Sequence, residues 1–295
     1  MASIAPLPLE APAAGASHWA TGRRRLFHHP LTVLCAAVLA AAIVASLAAP
    51  WIAPYAYDAI DLKLGASPPS FAHWFGTDAL GRDLLSRSLY GGQISIAVGI
   101  VGTLVSLLVG VLYGAIAGYR GGRTDELMMR FVDLLYSLPY LFLVIILLVF
   151  FSSSIIMLFV ALGLVQWLTM ARIVRGQVLS LKNAEFVQAA RLAGTRPLTI
   201  VFRHLLPNMV GPIVVYATLT VPSVILQEAF LSFLGLGVQP PRSSWGTLIN
   251  DGAGVMALFP WLVAFPAVIL AAVLFSLNVL GDGLRDALDP RLQRQ

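Results

Sequence analysis

Few residues of this chain have the types and spacing that support catalysis. Its five histidines are scattered, and it contains no GxxxxGK[ST] phosphate loop, no HExxH zinc motif and no GxSxG nucleophile elbow. The single cysteine, Cys35, lies inside an apolar run, so neither an intrachain disulfide nor a thiol metal site is expected. His204 has no second histidine near it in sequence. We therefore expect no enzymatic activity, no metal and no cofactor bound by this chain.

Polar side chains inside apolar stretches are the remaining candidates for chemistry. Gln166 and Glu228 each interrupt such a stretch, and Gln227 precedes Glu228. An ionisable residue at membrane depth is by default a functional hypothesis. Glu228 could face an ammonium group of a transported molecule or accept hydrogen bonds within the bundle, and Gln166 is a second candidate for lining a path. Asp133, three residues after Arg130, predicts a local ion pair.

The composition decides what kind of protein positions these residues. The chain has 295 residues, of which 58% are hydrophobic and 11% charged, with a mean hydropathy of +0.84. Soluble domains are about a quarter charged. The chain is therefore expected to be an all-α, polytopic membrane protein.

Six stretches are long enough to cross a bilayer core of about 30 Å. They are Leu31–Pro50, Ile94–Gly118, Leu127–Phe151, Ile155–Ile173, Met209–Phe230 and Ala257–Leu280. The predicted organisation is a disordered tail over 1–29, a first span over 30–50, an outer loop over 51–92, a core over 93–281 containing a long loop at 176–208, and a tail over 282–295. Pro139, Pro212 and Pro222 predict kinks.

The distribution of basic residues predicts the orientation. Most of the 19 Lys and Arg fall on the side of the two termini, whereas the other side carries only Lys63, Arg82, Arg87 and Arg242. The positive-inside rule then places both termini in the cytoplasm. The net charge of +5 is a topology signal, so no nucleic-acid partner is expected.

A stripe of small residues marks the second span. It recurs every four residues and consists of Gly102, Ser106, Gly110, Gly114 and Gly118. Such a stripe permits close helix packing in lipid. It could pack within this chain or contact a partner membrane subunit, and the sequence leaves both open.

The long loop contains a short helix with defined ends, in the segment NAEFVQAARLAG. Asn183 is a natural N-cap, and Glu185 and Arg191 suit the first and last turns. Gly194 fits the left-handed position after the helix, and Pro197 prevents continuation. We therefore predict a helix over 183–193.

This short helix has one apolar side. By helical spacing Phe186, Ala189, Ala190 and Ala193 share a face, and Glu185, Gln188 and Arg191 lie elsewhere. An isolated helix of this length is marginal in water, so it needs a surface to pack on. That surface could be a groove in a partner protein or the chain's own bundle.

The loop resembles the EAA loop of permease subunits of ABC importers. Gln188, Ala189, Ala190, Gly194 and the pair Leu206-Pro207 stand at the spacing of that signature. Two positions depart from it: Gln188 replaces an acid, and His204 stands where isoleucine is usual.

Further segments resemble the C-type permease of dipeptide and oligopeptide importers. They are FGTDALGRDLLSRSLYGG, GYRGGRTDELMMRFVD, ARIVRGQVLSLK, SFLGLGVQPPRSSWG and GDGLRDALDP. The resemblance covers nearly the whole chain after residue 25 and is closest to the oligopeptide branch. Dipeptide, nickel and glutathione importers of the same family share these motifs and remain alternatives.

The resemblance implies a six-helix type I ABC importer permease fold in a bacterial inner membrane. In that family the short helix couples to a groove of a cytoplasmic ATPase, which assigns this role to Glu185, Phe186, Gln188, Ala189, Ala190, Arg191 and Gly194. Glu185 or a neutral hydrogen bond from Gln188 would replace the missing acid. The implied partners are a second homologous permease, two ATPases that carry the ATP and Mg, an extracytoplasmic substrate-binding protein and a peptide substrate.

Two outer segments are candidate docking surfaces for that binding protein. The stretch DLLSRSLYGG predicts a short amphipathic helix ending at Gly91, which either lies along the membrane or forms part of the docking surface. Residues 233–256 are the second candidate.

An ion-coupled secondary transporter is the rival from another class. It would need an ion site at the bilayer midplane and usually internal repeats. The sequence shows no acidic cluster at mid-span and no clear repeat.

Overall fold

The computed structural model describes residues 29–151 and 154–288. Regular structure in these ranges is almost entirely helical. The helices are α1 (Pro30–Leu47), α2 (Ala49–Ile52), α3 (Leu84–Arg120), α4 (Gly122–Ser137), α5 (Tyr140–Phe151), α6 (Ile155–Leu181), α7 (Glu185–Leu192), α8 (Pro197–Thr199), a π-helical segment (Ile200–Leu205), α9 (Leu206–Asn208), α10 (Val210–Phe233), α11 (Trp245–Ala253) and α12 (Trp261–Leu288).

Five of these helices are long and apolar enough to cross a membrane, namely α1, α3, α6, α10 and α12. The pair α4 and α5 makes a sixth candidate if it is counted as one span. This confirms the expected all-α, multi-pass architecture. The predicted tails fall mostly on residues 1–28 and 289–295, outside the described ranges, but residues 282–288 continue α12.

The second span is longer than the sequence suggested. α3 has 37 residues and starts at Leu84, where the carboxylate of Asp83 caps it by accepting a hydrogen bond from the backbone N–H of Ser86 at 2.8 Å. The prediction of a separate amphipathic helix ending at Gly91 is therefore wrong. Gly91 and Gly92 stay helical and lie against residues 243–245, where a Cβ on Gly92 would be 2.8 Å from the ring of Trp245.

The third span is broken at Leu138 and Pro139. α4 and α5 meet there at 89°, so the predicted continuous helix over Leu127–Phe151 is wrong and the kink expected at Pro139 is a full break. α5 has 12 residues, which is about 18 Å of helix and short of a bilayer core of about 30 Å.

The small-residue stripe lies against α6 of the same chain. A Cβ on Gly110 would be 2.6 Å from the Cβ of Met170, and one on Gly114 would meet the carbonyl oxygen of Ala171. Gly118 lies against the same helix, Gly102 lies between α6 and Val224 of α10, and Ser106 is buried. The stripe is thus not available to a partner subunit, and packing within the chain is the alternative that the structure shows.

Ion pairs connect α4 to α6 across the bundle. Arg175 donates two hydrogen bonds to Asp125, at 2.6 and 2.7 Å. Arg172 donates to Asp133 at 2.7 Å, whereas Arg130 pairs with Glu126. The predicted pair between Arg130 and Asp133 is therefore wrong, because the neighbouring helix offers Asp133 a better-placed cation.

Candidate functional site

The short helix of the long loop, α7, has eight residues and begins at Glu185, two residues later than predicted. Its N-cap is Ala184, which has no capping side chain. Asn183 contributes its backbone and not its side chain: its carbonyl oxygen accepts a hydrogen bond from Nε2 of Gln188 at 2.8 Å. The amide that replaces the family's acid therefore holds the start of its own helix.

The end of α7 has the predicted glycine geometry. Gly194 has φ of +72°, in the left-handed region that glycine adopts without strain. Its N–H donates to the carbonyl of Arg191, and the N–H of Thr195 donates to that of Ala190, at 3.0 and 3.1 Å. These two bonds form a Schellman motif, which fixes where the helix stops.

One side of α7 packs on the bundle. Val187 and Ala190 are its buried residues. They join an apolar cluster with Ala115 of α3, with Met170, Val174 and Val178 of α6, and with Ile200, Val201, Leu205 and Met209 beyond the loop. α7 is therefore attached to α3, α6 and the π-helical segment.

The other side of α7 is exposed, and it differs from the predicted apolar face. Ala190 turns inward, and Phe186 lies at the edge with 39% exposure. The outer face follows the spacing i, i+3, i+4, i+7 and consists of Glu185, Gln188, Ala189 and Leu192.

Leu192 is the functional candidate that sequence reasoning missed. It is 90% exposed, more than any other large apolar side chain of the described loop. The available signal was its spacing of seven residues from Glu185 and four from Gln188.

Two cations bind α7 and α6 to the end of α3. The guanidinium of Arg191 lies over the ring of Tyr119, 5.3 Å from its centroid, a cation–π distance. Nζ of Lys182 donates to the carbonyl oxygen of Gly118 at 3.3 Å. Arg191 is thus directed at its own bundle, although its sequence position suggested a role on the outer surface.

The signature residues that follow α7 lie in irregular helix. His204 is half-buried in the π-helical segment, and its carbonyl accepts a hydrogen bond from Nδ2 of Asn208 at 2.7 Å. Pro207 lies in the first turn of α9, where a missing N–H costs nothing. π-Helical turns are rare and concentrate at functional sites.

The two candidates for a substrate path have different surroundings. Gln166 lines a cavity of about 320 Å³ beside the break between α4 and α5. Glu228 is fully buried and accepts hydrogen bonds from Oγ of Ser232 at 2.6 Å and Oγ of Ser95 at 3.5 Å. The path-lining interpretation of Glu228 is therefore wrong, and hydrogen bonding within the bundle is the alternative that holds.

The two predicted docking segments on the opposite side of the bundle form one surface. Arg87, buried at the start of α3, donates to Asp78 at 2.6 Å and to Asp251 of α11 at 3.3 Å. Oγ of Ser243 donates to the carbonyl of Arg87 at 3.4 Å. An open cavity of about 500 Å³ lies beside these contacts and is lined by side chains of both segments.

In the described part of the chain, no group of three or more histidine, cysteine, aspartate or glutamate residues could hold a metal ion.

Comparisons with known proteins identify the family to which this chain belongs. The model of the binding-protein-dependent transport system inner membrane component matches residues 110–294, and the model of the N-terminal transmembrane domain of oligopeptide transport permease C matches residues 17–69. The chain belongs to the binding-protein-dependent inner-membrane permeases.

Individual relatives of this permease agree with that assignment. The oligopeptide transport system permease protein OppC of Haemophilus influenzae is 50% identical over 279 residues, which cover 94% of this chain and 90% of the relative. The dipeptide transport system permease protein DppC of Bacillus subtilis is 46% identical over 272 residues, which cover 92% of this chain and 85% of the relative.

The fold of the permease matches a solved structure as well. A chain from inward-facing conformations of the MetNI methionine ABC transporter aligns with a TM-score of 0.57 and 17% identity, covering 68% of this permease and 94% of that chain. The expected permease fold is thereby confirmed, and the chain is a multi-pass inner-membrane protein.

Proposed function

We propose that the chain is one of two membrane permease subunits of an ATP-driven oligopeptide importer. The support comes from relatives named as oligopeptide permeases, such as the one 50% identical over 94% of the chain. Family membership supports a role in transport. The packing of α7 supports the coupling of that transport to an ATPase.

The observation that carries the proposal is the two-sided packing of α7. Val187 and Ala190 fasten the helix to the bundle, while Leu192, Ala189 and Glu185 face away from it. A helix that is fixed on one side and exposed on the other transmits an external push as a rigid body, because packed cores are not continuously deformable. The exposed side is the seat for an ATPase subunit.

The remaining partners are those that membership of the binding-protein-dependent permeases implies. Two cytoplasmic ATPases hold ATP and Mg and perform all catalysis. A second, homologous permease completes the path, and a soluble binding protein delivers peptide to the surface joined by Arg87 and Asp251. Both termini are cytoplasmic, because the basic residues concentrate on their side of the membrane.

α3 is the element through which the two sides communicate. Its 37 residues extend about 55 Å at 1.5 Å per residue. Tyr119 near one end contacts Arg191 of α7, and Arg87 near the other contacts Asp251 of the outer surface. If α3 moves as a rigid unit with α6, a displacement of α7 shifts Arg87 and so alters the position of the outer surface.

A dipeptide importer is the second candidate. It is favoured by one observation, the 46% identity to a dipeptide permease over 92% of the chain. Competition between unlabelled dipeptides and longer peptides during uptake separates the two.

Reconstitution tests the proposed function directly. The permease, its homologous partner and their ATPases are placed in liposomes with ATP inside, and the binding protein and a labelled tripeptide or pentapeptide are added outside. We expect uptake that requires both ATP and binding protein. Uptake driven by a proton gradient in the absence of the ATPases would instead establish an ion-coupled transporter.

A further inference from the structure

The break between α4 and α5 lies part-way through the bundle and is exposed on the surface of the chain. Leu138 leaves the helical conformation, with φ of −82° and ψ of 137°, and it is 44% exposed. Hydrocarbon offers no hydrogen bonds to irregular backbone, so such a segment occurs at membrane depth only where protein or a water-filled cavity surrounds it. This surface therefore faces a polar space or a partner protein and not lipid.

A cavity lined by both apolar and polar side chains opens at this break. It has a volume of about 320 Å³, and its polar lining consists of Tyr136, Tyr140, Gln166, Thr169 and Gln227. Gln166 is the twelfth of the 27 residues of α6, which places it close to the middle of the span at 1.5 Å per residue. Among the described residues that line the cavity, none is charged.

Gln227 contributes an unused acceptor to this site. Its Oε1 atom is buried and has no hydrogen-bond partner among the described residues. Buried amide oxygens are nearly always paired, and an unpaired one in a native structure calls for an explanation. This oxygen has almost no accessible surface, so the side-chain amide must rotate toward the cavity before the N–H of a ligand can supply the missing partner.

We infer that this cavity binds the main chain of a peptide in transit, with Oε1 of Gln227 accepting a main-chain N–H and the amide of Gln166 contributing a second polar contact. The inference rests on the proposed function. Neutral amides pair with the amide groups that all peptides share, and a lining without charge does not select among peptides by the charge of their side chains. Gln227 thus takes the role that the sequence suggested for its neighbour Glu228.

Cysteine accessibility tests whether the cavity is part of a path. The chain has one cysteine, Cys35, so Cys35→Ala gives a cysteine-free background in which ATP-dependent peptide uptake is measured first. Failure at that stage counts against the proposed function and not against the cavity. Gln227→Cys and, as a control, Val268→Cys are then exposed to a charged methanethiosulfonate in the assembled importer. Val268 is 67% exposed on α12 and lies seven residues after the start of that helix, as Gln227 lies six residues before the end of α10.

We expect Gln227→Cys to react about tenfold faster or more, because a charged reagent is excluded from hydrocarbon. Excess transported peptide, with ATP and binding protein, slows the reaction at position 227 and leaves position 268 unchanged. Equal rates at both positions, or no protection by peptide, would overturn the inference; a partner permease that seals the cavity would give this result.

Leucine variants test the hydrogen bond itself. Gln227→Leu removes an unpaired acceptor, so the thermal unfolding midpoint of the complex is expected to stay the same or rise, which a structural role would not give. Uptake falls about two- to tenfold, the range for one hydrogen bond, and by the same factor for acidic, neutral and basic peptides. Gln166→Leu is also expected to lower uptake.

The matched control is Gln177→Leu, three turns along α6 from Gln166 and outside the cavity lining. It is expected to leave uptake unchanged. If Gln227→Leu loses no more uptake than Gln177→Leu, or if its loss depends on the charge of the peptide, a neutral main-chain contact is contradicted.

Discussion

The guanidinium of Arg87 lies 2.6 Å from the carboxylate of Asp78 and 3.3 Å from that of Asp251. Arg87 stands in the first turn of α3, so the outer loop, α11 and the longest helix of the bundle meet at one buried cation. A change in either outer segment is therefore transmitted to α3.

Arg87→Met is expected to destabilise the permease strongly. It leaves the buried carboxylate of Asp78 with fewer partners, and removal of one member of a buried ion pair costs about 3–5 kcal/mol. The measurement is the thermal unfolding midpoint of the purified complex. Arg242→Met, at an exposed arginine of the same surface, serves as control and should change stability little; equal stability of both variants would contradict a buried anchor.

Gly114→Val is expected to force α3 and α6 apart. A Cβ at position 114 meets the carbonyl of Ala171, a backbone atom that cannot rotate away, and overpacking of this kind costs about 1–3 kcal/mol or more. The amount of permease retained in the membrane and its unfolding temperature report the effect. Gly176→Ala is the control, because a Cβ there meets nothing within 4 Å. Normal amounts of the valine variant would show that the two helices are not in close contact.

Glu228→Ala is expected to lower stability without changing which peptides are transported. The carboxylate binds Ser232 and Ser95 inside the bundle, so its removal leaves buried hydroxyls unpaired at about 1–3 kcal/mol each. Unfolding temperature and a peptide competition panel give the two readouts. A variant of normal stability that discriminates against basic peptides would restore the path-lining role.

Leu192→Asp is expected to abolish coupling while leaving the fold intact. The side chain is 90% exposed, so a charge there costs the isolated chain little, but it would be buried at an interface with an ATPase, where an unpaired charge costs several kcal/mol. Peptide uptake should fall more than tenfold, with normal amounts of subunit in the membrane. Leu62→Asp in the outer loop, also exposed, should transport normally.

Much of the architecture follows from local sequence. Apolar stretches of spanning length predict five of the helices, because each must bury its backbone polar groups in lipid. The end of α7 follows from Gly194 and Pro197, whose constraints are local. The glycine stripe predicts close packing but not its partner, since Met170 and Ala171 are about sixty residues away in the chain.

The sequence predictions are wrong where contacts between residues far apart in the chain determine the structure. Gly91 looked like a helix end, but it continues α3 and lies against Ser243 and Ser244. Glu228 looked like a path residue because its partner Ser95 approaches it only in the folded bundle. Pro139 predicts a kink, whereas the structure has an 89° break after a helix that two ion pairs attach to α6.

The most direct measurement of the central claim is a crosslink from α7. In the Cys35→Ala background, Leu192→Cys is combined with single cysteines introduced along the surface of the partner ATPase that faces the membrane, and disulfide formation is followed with and without ATP. We predict a permease–ATPase product in high yield, with a yield that changes on ATP binding, and none for the matched Leu62→Cys variant. If position 192 forms no product with the ATPase at any tested site in an importer that is transporting peptide, then α7 is not where ATP hydrolysis acts on this permease.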